Sequence, residues 1–194
     1  MPRIVETIVT TTDPAGMPHI APLGLIEDGE GWIIAPFKPS RTLDNLTANP
    51  FAVATHTGDV RVFAGCVTGR RDWATVPADV VSGVRLKDAV SHWELAVERI
   101  TDDAQRPRFH CKVVHTASHA VWSGYNRAEA AVLELAVLST RLAMLSPEKI
   151  DAELEYLKIA VSKTAGPREL EAWGWLMDRV AAYRRGDLDA ARKK

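Results

Sequence analysis

A small antiparallel β-barrel followed by a helical appendage is the fold class that this sequence predicts, on three observations. Short stretches rich in Ile, Val and Thr recur through residues 3–118, separated at close intervals by Gly, Pro, Asn and Asp, the composition of strands joined by tight turns. From Asn126 the apolar spacing changes to three and four residues, at Val132, Leu135, Leu138, Leu142 and Leu145, which is the period of a helix face. Strand-rich and helix-rich segments thus follow one another instead of alternating, which disfavours a parallel sheet with crossover helices.

The elements are read in order. Residues 3–12 form a strand, and Thr12-Asp13-Pro14-Ala15-Gly16 turns it, with Pro presetting φ and Gly open to positive φ. Residues 17–27 continue the sheet, but Pro18 and Pro22 remove ladder donors and mark an edge or a bulge. After the Asp28-Gly29-Glu30-Gly31 turn, residues 32–37 complete a meander. A short helix follows Ser40, with Leu43 and Leu46 on its apolar side, and stops at Asn49-Pro50. Residues 51–56 and 60–65 are expected as two more strands around Thr57-Gly58-Asp59, and residues 66–91, which have no sustained period, as loop with some strand. Strand composition returns at 92–101 and 108–118, across a polar connection.

The helix of residues 126–145 is apolar on most sides, Leu133 and Val137 included, so it is expected to be buried. Ser146-Pro147-Glu148 starts a second helix with a cap, a proline at the first position and an early acid, and Gly166-Pro167 ends it. A third carries Leu170, Trp173, Leu176, Met177 and Val180. The expected division is 1–122 as barrel, 123–186 as a helical segment packed on the barrel or on a dimer partner, and 187–194 as a flexible tail.

Lys and Arg number 24 against 25 Asp and Glu, for a net charge of -1 with the signs mixed throughout; this is not the footprint of a nucleic-acid binder. There are two cysteines, Cys66 and Cys111, without a CxxC, and MPRIVETIV has no long apolar core of a leader, so a reduced, cytoplasmic setting is expected. No run approaches the roughly 20 apolar residues of a membrane span, and no membrane association is expected.

The chemistry concentrates in residues 35–50, APFKPSRTLDNLTANP. Lys38, Ser40, Arg41 and Thr42 gather where a strand hands over to a helix, whose first N–H groups and dipole suit a phosphate dianion. The same residues equally describe an N-cap and a solvated loop. His110, Cys111, His115 and His119 resemble metal ligands, but residues four apart on a straight strand lie roughly 13 Å from each other. Zinc ligands must all sit about 2.0 to 2.3 Å from one ion, so no metal site is expected there. No Gly-x-Ser-x-Gly elbow, His-Glu-x-x-His helix or Walker loop is present. Trp173 and Trp175 are read as packing residues.

The segments ETIVTT (6–11), HIAPLGLI (19–26) and APFKPSRTLDNL (35–46), with NRAEAAVLELAVLSTRLAML (126–145) and VSKTAGPRELEAW (161–173), resemble an uncharacterised prokaryotic branch of the FMN-binding split-barrel, flavin-reductase-like superfamily. The likeness covers most of the chain and is weakest over 66–121. It implies a six-stranded antiparallel split β-barrel that forms a homodimer, with FMN in a groove at the subunit interface. It implies a phosphate held by Lys38, Ser40, Arg41 and Thr42, assisted by Asn45, and an isoalloxazine beside Ala21, Pro22, Leu23 and Gly24. Thr55, His56, Asp59, Asn126 and Arg127 are further cofactor-binding candidates, with Arg127 or Lys38 as the cation near the flavin N1. Pro39 departs from the usual polar loop, since it stiffens the chain and removes one N–H. The implied activity is a flavin-reductase-like oxidoreductase whose branch resembles proteins found beside tetrahydromethanopterin-dependent one-carbon metabolism. The alternatives are an FMN-binding protein for storage, delivery or sensing, and an interaction domain whose helical end pairs with another protein.

Overall fold

The computed structural model describes residues 2–187. In chain order the elements are β1 (Ile4–Thr12), β2 (Pro18–Asp28), β3 (Gly31–Ile34), α1 (Arg41–Ala48), β4 (Phe51–His56), α2 (Arg61–Val67), β5 (Thr75–Pro77), β6 (Val84–Leu86), β7 (Ser91–Thr101) and β8 (Arg108–Ser118). They are followed by α3 (Arg127–Ser139), a 3-10 turn (Leu142–Met144), α4 (Pro147–Thr164) and α5 (Pro167–Arg184). Six strands close into the expected barrel in the order β1-β2-β3-β8-β7-β4, while β5 and β6 pair apart from it. Every strand pair is antiparallel. The chain divides into two compact units, one containing the residues up to Thr57 with Trp73–Trp122, the other Gly58–Asp72 with the chain from Ser123 on.

In the barrel unit, Gly16 takes φ +81 in the first turn, where Asp13 Oδ1 accepts the N–H groups of Ala15 and Met17 at 2.9 Å each. Alternate residues then point inward, so that Val9, Leu25, Ile34, Ala52, Ala54, Leu95, Phe109 and Cys111 form the interior core. Leu46 of α1 joins them. Helix α1 is tied to β1 by Asn45 Nδ2 donating to Thr11 Oγ1 (3.0 Å) and Asn49 Nδ2 donating to Thr12 Oγ1 (2.6 Å).

The outward-facing Ile8 and Thr10 of β1, Val53 and Thr55 of β4, and His92 and Glu94 of β7 are buried as well. Strand β6 packs against β1 and β4, with Thr10 Oγ1 donating to Val84 O and Leu86 N donating to Thr55 Oγ1 at 3.5 Å. Strand β1 is therefore buried on both faces from Thr7 to Thr12, which is why its sequence shows no clean apolar and polar alternation.

The helical unit has its own core, built from Val60 just before α2 and Ala64 within it, Val132 and Leu135 of α3, Leu154 and Leu157 of α4, and Leu176 and Val180 of α5. Of residues 60–65, expected as a strand, 61–65 are helical, part of α2. Asp59 accepts Arg61 N with its carboxylate (3.1 Å) and Val62 N with its carbonyl (3.1 Å), starting a turn that puts Val60 and Ala64 on one buried stripe. Burial on a helical stripe outweighs the β propensity of valine, which spans well under about 1 kcal/mol.

The first C-terminal helix ends at Ser139, short of the expected Leu145. Ser139 Oγ and Thr140 Oγ1 bond back to the carbonyls of Ala136 (2.8 Å) and Val137 (2.7 Å), and Arg179 Nε takes Ser139 O at 3.1 Å. Leu142 thus reaches the core from a 3-10 turn. The start of α4 carries the expected side-chain cap, Ser146, and Asn126, a cofactor-binding candidate in the sequence, caps α3. Of the expected tail, residues 188–194 lie outside the described residues. No helix among the described residues is long and apolar enough to cross a membrane.

Candidate functional site

The loop between β3 and α1 is braced by the polar connection between β7 and β8. Lys38 N donates to Gln105 O at 2.8 Å, and Lys38 Nζ donates to Asp102 Oδ1 and Asp103 O, both at 2.8 Å. Arg106 donates to Ala35 O through Nε (3.0 Å) and Nη2 (2.8 Å), and its guanidinium lies 4.4 Å from the Phe37 ring centre. Asp103 Oδ1 accepts the N–H groups of Gln105 (2.8 Å) and Arg106 (2.7 Å), which shapes the bracing loop. Arg106 was not legible as a loop anchor in the sequence, where it is one charge in a polar connection.

Lys38 is thus committed to the brace, and its ammonium holds the Asp102 carboxyl below the usual carboxylate range. Ser40 is extended at φ -159, and its Oγ accepts Leu43 N at 3.3 Å as the N-cap of α1. One first-turn donor is thereby satisfied, which leaves the N–H groups of Arg41 and Thr42 without helical acceptors. Arg41 is exposed and Thr42 is buried, and Arg41 has no ion pair among the described residues. Asn45 spends its Nδ2 on Thr11.

Helix α1 packs on β1 and β2. Strand β2 pairs with β1 over its length, from Pro18 to Ile26, but with β3 only at Ile26, Glu27 and Asp28. Among the described residues, the edge of Ala21, Pro22, Leu23 and Gly24 that faces away from β1 therefore has no partner strand; this is the split in the barrel. All four residues are half-buried. At Gly24 an added Cβ would lie 2.7 Å from Ile4 Cγ2, so the missing side chain there makes room for β1.

The last two residues of β4 go to opposite faces. Thr55 is fully buried under the β5–β6 pair, where it accepts Leu86 N. His56 points the other way: its Nδ1 is 3.1 Å from Ser91 Oγ, and its ring stands edge-on to Trp93 at 4.4 Å, which in turn stacks on Trp32 at 4.9 Å. Burial pushes the His56 pKa down against the opposing effect of Ser91, so the imidazole is neutral near pH 7. Its Nε2 is buried and has no hydrogen-bond partner among the described residues, the kind of orphaned atom that calls for an explanation. Trp32 and Trp93 escaped the sequence reading because they meet only through the barrel.

Asp59, Asn126 and Arg127 belong to the helical unit. Asn126 Oδ1 accepts Ala128 N at 2.7 Å, and its Nδ2 donates to Thr164 O at 3.1 Å, while Arg127 is exposed. Asp59 takes Arg61 Nη2 at 2.6 Å and Nε at 2.9 Å. Burial pushes its pKa up, but the Arg61 hydrogen bonds and charge outweigh that and hold it below 3.8. A depressed folded value adds stability above the unfolded one and loses it as pH falls through the folded one. The acid limb of unfolding should therefore be steeper below pH 3.8 in the wild type than in Asp59→Asn, followed by far-UV circular dichroism in urea; parallel limbs would contradict the ion pair's role.

Both cysteines are buried, and burial pushes the thiols up to about 11 for Cys66 and about 12 for Cys111. Neither is a thiolate nucleophile near neutrality.

Residues 5–120 match the protein-family profile described as "Protein of unknown function (DUF447) N-terminal domain", and residues 126–178 match "Protein of unknown function (DUF447)". Among solved structures the chain is similar to an FMN-bound DUF447 protein from Methanosarcina mazei, at 21% identity and a TM-score of 0.77, over 92% of this chain and 96% of that one. It is similar to 2-nitrobenzoate 2-nitroreductase from Pseudomonas fluorescens at 19% identity and TM-score 0.51, over 61% of this chain and 66% of that one. Flavoredoxin from Methanosarcina acetivorans gives 14% identity and TM-score 0.51, over 61% and 69%. At these identities the likeness establishes the fold, the split barrel shared with flavin reductases.

Proposed function

The chain belongs to the DUF447 family, and from that premise we propose that it is an FMN-binding flavoprotein, an oxidoreductase of flavin-reductase-like type that works as a cytoplasmic homodimer. The observation that carries this reading is the open N-terminus of α1, a helix that packs on β1 and β2, together with the unpaired edge of β2, in a barrel similar to that of an FMN-bound relative. The residues present fit the cofactor. The N–H groups of Arg41 and Thr42 and the Arg41 guanidinium would hold the phosphate, with Ser40 capping the helix that presents them. Ala21, Pro22, Leu23 and Gly24 would flank the ring, and His56 Nε2 is a buried polar atom that lacks a partner. Lys38 would act on the phosphate only through the loop it braces.

When bound, FMN supplies the redox chemistry, accepting a hydride and passing electrons on. The chain's own contribution is to orient and shield. The braced loop holds the phosphate seat still, and the half-buried apolar edge of β2 keeps water from one side of the ring. A neutral His56 offers one ring nitrogen without bringing in charge. Dimerisation is supported by Val121, 92% exposed, and Trp122, 53% exposed, at the end of the barrel unit, apolar surface of the kind that a partner subunit covers.

The purified, untagged protein should be yellow, with the absorbance of oxidised flavin, and should release FMN on denaturation. Arg41→Glu, at an exposed position, should weaken FMN about tenfold, more at low salt than at high, while leaving riboflavin binding unchanged. A colourless protein with no uptake of FMN would refute the cofactor, and unchanged FMN affinity in the variant would refute the phosphate seat. Oxidation of NADH or NADPH with a pterin or quinone acceptor separates an oxidoreductase from a protein that only stores or senses FMN; oxidised (dihydro) pterins of the methanopterin type, which take up the hydride and become the tetrahydro form, are the first class of acceptor to try.

A further inference from the structure

A second group of polar side chains lies on the outer face of the barrel, away from the split. His92 and Glu94 flank Trp93 on β7 and are both 0% exposed. Opposite Glu94 on β8 stands His115, and a bulge puts it there: the register steps from Leu95↔Val113 to Glu94↔His115, with Val114 as the extra residue. An unbroken ladder would set Val114 against Glu94 and turn His115 to the barrel's other face. The turn after β5 brings Asp79 over the same spot, because the N–H groups of Asp79, Val80 and Val81 donate to the Glu94 carboxylate at 2.5, 2.8 and 2.6 Å.

We propose that Asp79, His92, Glu94 and His115 form a binding site for a divalent transition-metal ion of the zinc class. One donor atom from each residue lies within 4.8 Å of the other three. His92 Nε2 is 3.1 Å from Glu94 Oε1 and 3.6 Å from Asp79 Oδ2, and His115 Nε2 is 3.2 Å from Asp79 Oδ2. Bonds of about 2.0 to 2.1 Å in a tetrahedron place neighbouring donors roughly 3.3 Å apart. These three edges are already close to that length, and none of the remaining ones exceeds 4.8 Å.

The charges and the outer contacts agree with such an ion. Two neutral imidazoles and two carboxylates carry two negative charges, which a divalent cation cancels, and mixed imidazole and carboxylate donors suit first-row metals. Glu94 Oε2 is filled by two N–H groups and Oε1 by one, leaving on Oε1 the lone pair that now faces His92 Nε2. His92 Nδ1 lies 2.9 Å from His119 Nε2, and the two rings stack at 5.1 Å. A ligating His92 would carry its proton on Nδ1 and donate it to His119, the outer partner that metal-bound histidines use to fix ring and tautomer. Anchoring of the turn at 79–81 accounts for Glu94 alone; it does not explain why Asp79 and His115 converge on His92.

The test uses the full chain, stripped with a chelator and titrated with zinc alone by calorimetry. One equivalent should bind, and cobalt in its place should develop the visible bands of a tetrahedral nitrogen and oxygen site. His115→Ala and Asp79→Asn, both at partly exposed positions, should each weaken zinc about tenfold or more with unchanged far-UV circular dichroism. His110→Ala should have no effect, because His110 pairs with Asp28 at 2.7 Å and contributes no donor to this group. Failure of the folded protein to take up zinc, or an affinity and cobalt spectrum that survive the His115→Ala, Asp79→Asn double variant, would overturn the assignment. None of these readouts depends on flavin.

Discussion

Glu94→Ala is expected to lower the stability of the barrel unit by about 3 kcal/mol in urea unfolding followed by tryptophan fluorescence. The Glu94 carboxylate is fully buried, yet its pKa lies below the usual 4.5. Burial alone pushes it up, and the N–H groups of Val81, Asp79 and Val80, with His92, more than reverse that. Removing the carboxylate leaves these donors behind. Val80 is 64% exposed, so part of the turn can swing out and bond to water, while Val81 is buried; this limits the loss to about 3 kcal/mol. Glu94→Gln, which keeps the shape but sets an amide donor among N–H groups, should fall between. A loss below about 1 kcal/mol for the alanine variant would mean that the 79–81 turn is held by something else.

Gly31→Ala should cost nearly as much, about 2 to 3 kcal/mol, for a reason that has nothing to do with turn conformation. A Cβ on Gly31 would lie 2.5 Å from the carbonyl oxygen of Cys111, a backbone atom in the neighbouring strand. Strand β3 has four residues and meets β8 only through Trp32↔Cys111, Ile33↔His110 and Ile34↔Phe109. Nothing flexible there can yield, so the clash works directly on the contact that closes the barrel. Gly24→Ala is the useful contrast. Its obstacle is Ile4 Cγ2, part of a side chain that is 53% exposed and can rotate away, so its effect should be small. Equal melting temperatures for Gly31→Ala and wild type would contradict this account, as would a near-UV spectrum that keeps the Trp32 and Trp93 stacking signal with no loss of stability.

The proposed phosphate seat was legible in the sequence to the extent that its signals are local. Ser40 reads as a cap from its place before Arg41 and the Leu43, Leu46 pair, and it is one. The role of Lys38 was not legible, because its partners, Asp102 and Asp103, come from the far end of another hairpin. His56 was singled out, but its aromatic neighbours and its orphaned nitrogen depend on the register of β4 against β7.

By itself, the sequence determined the order of strands then helices, the turn at Asp13 to Gly16, the caps at Ser40 and Ser146, and the apolar stripes of the C-terminal helices. These rest on backbone preference and on the period of nearby side chains, which act within a few residues. The tertiary structure alone decided that residues 61–65 are helical instead of extended, that β2 meets β3 only at Ile26, Glu27 and Asp28, and that Asp79, His92, Glu94 and His115 meet. Each of these depends on which surfaces remain to be covered and on a single extra residue in one ladder, and a one-residue step in register reverses the face of every side chain beyond it.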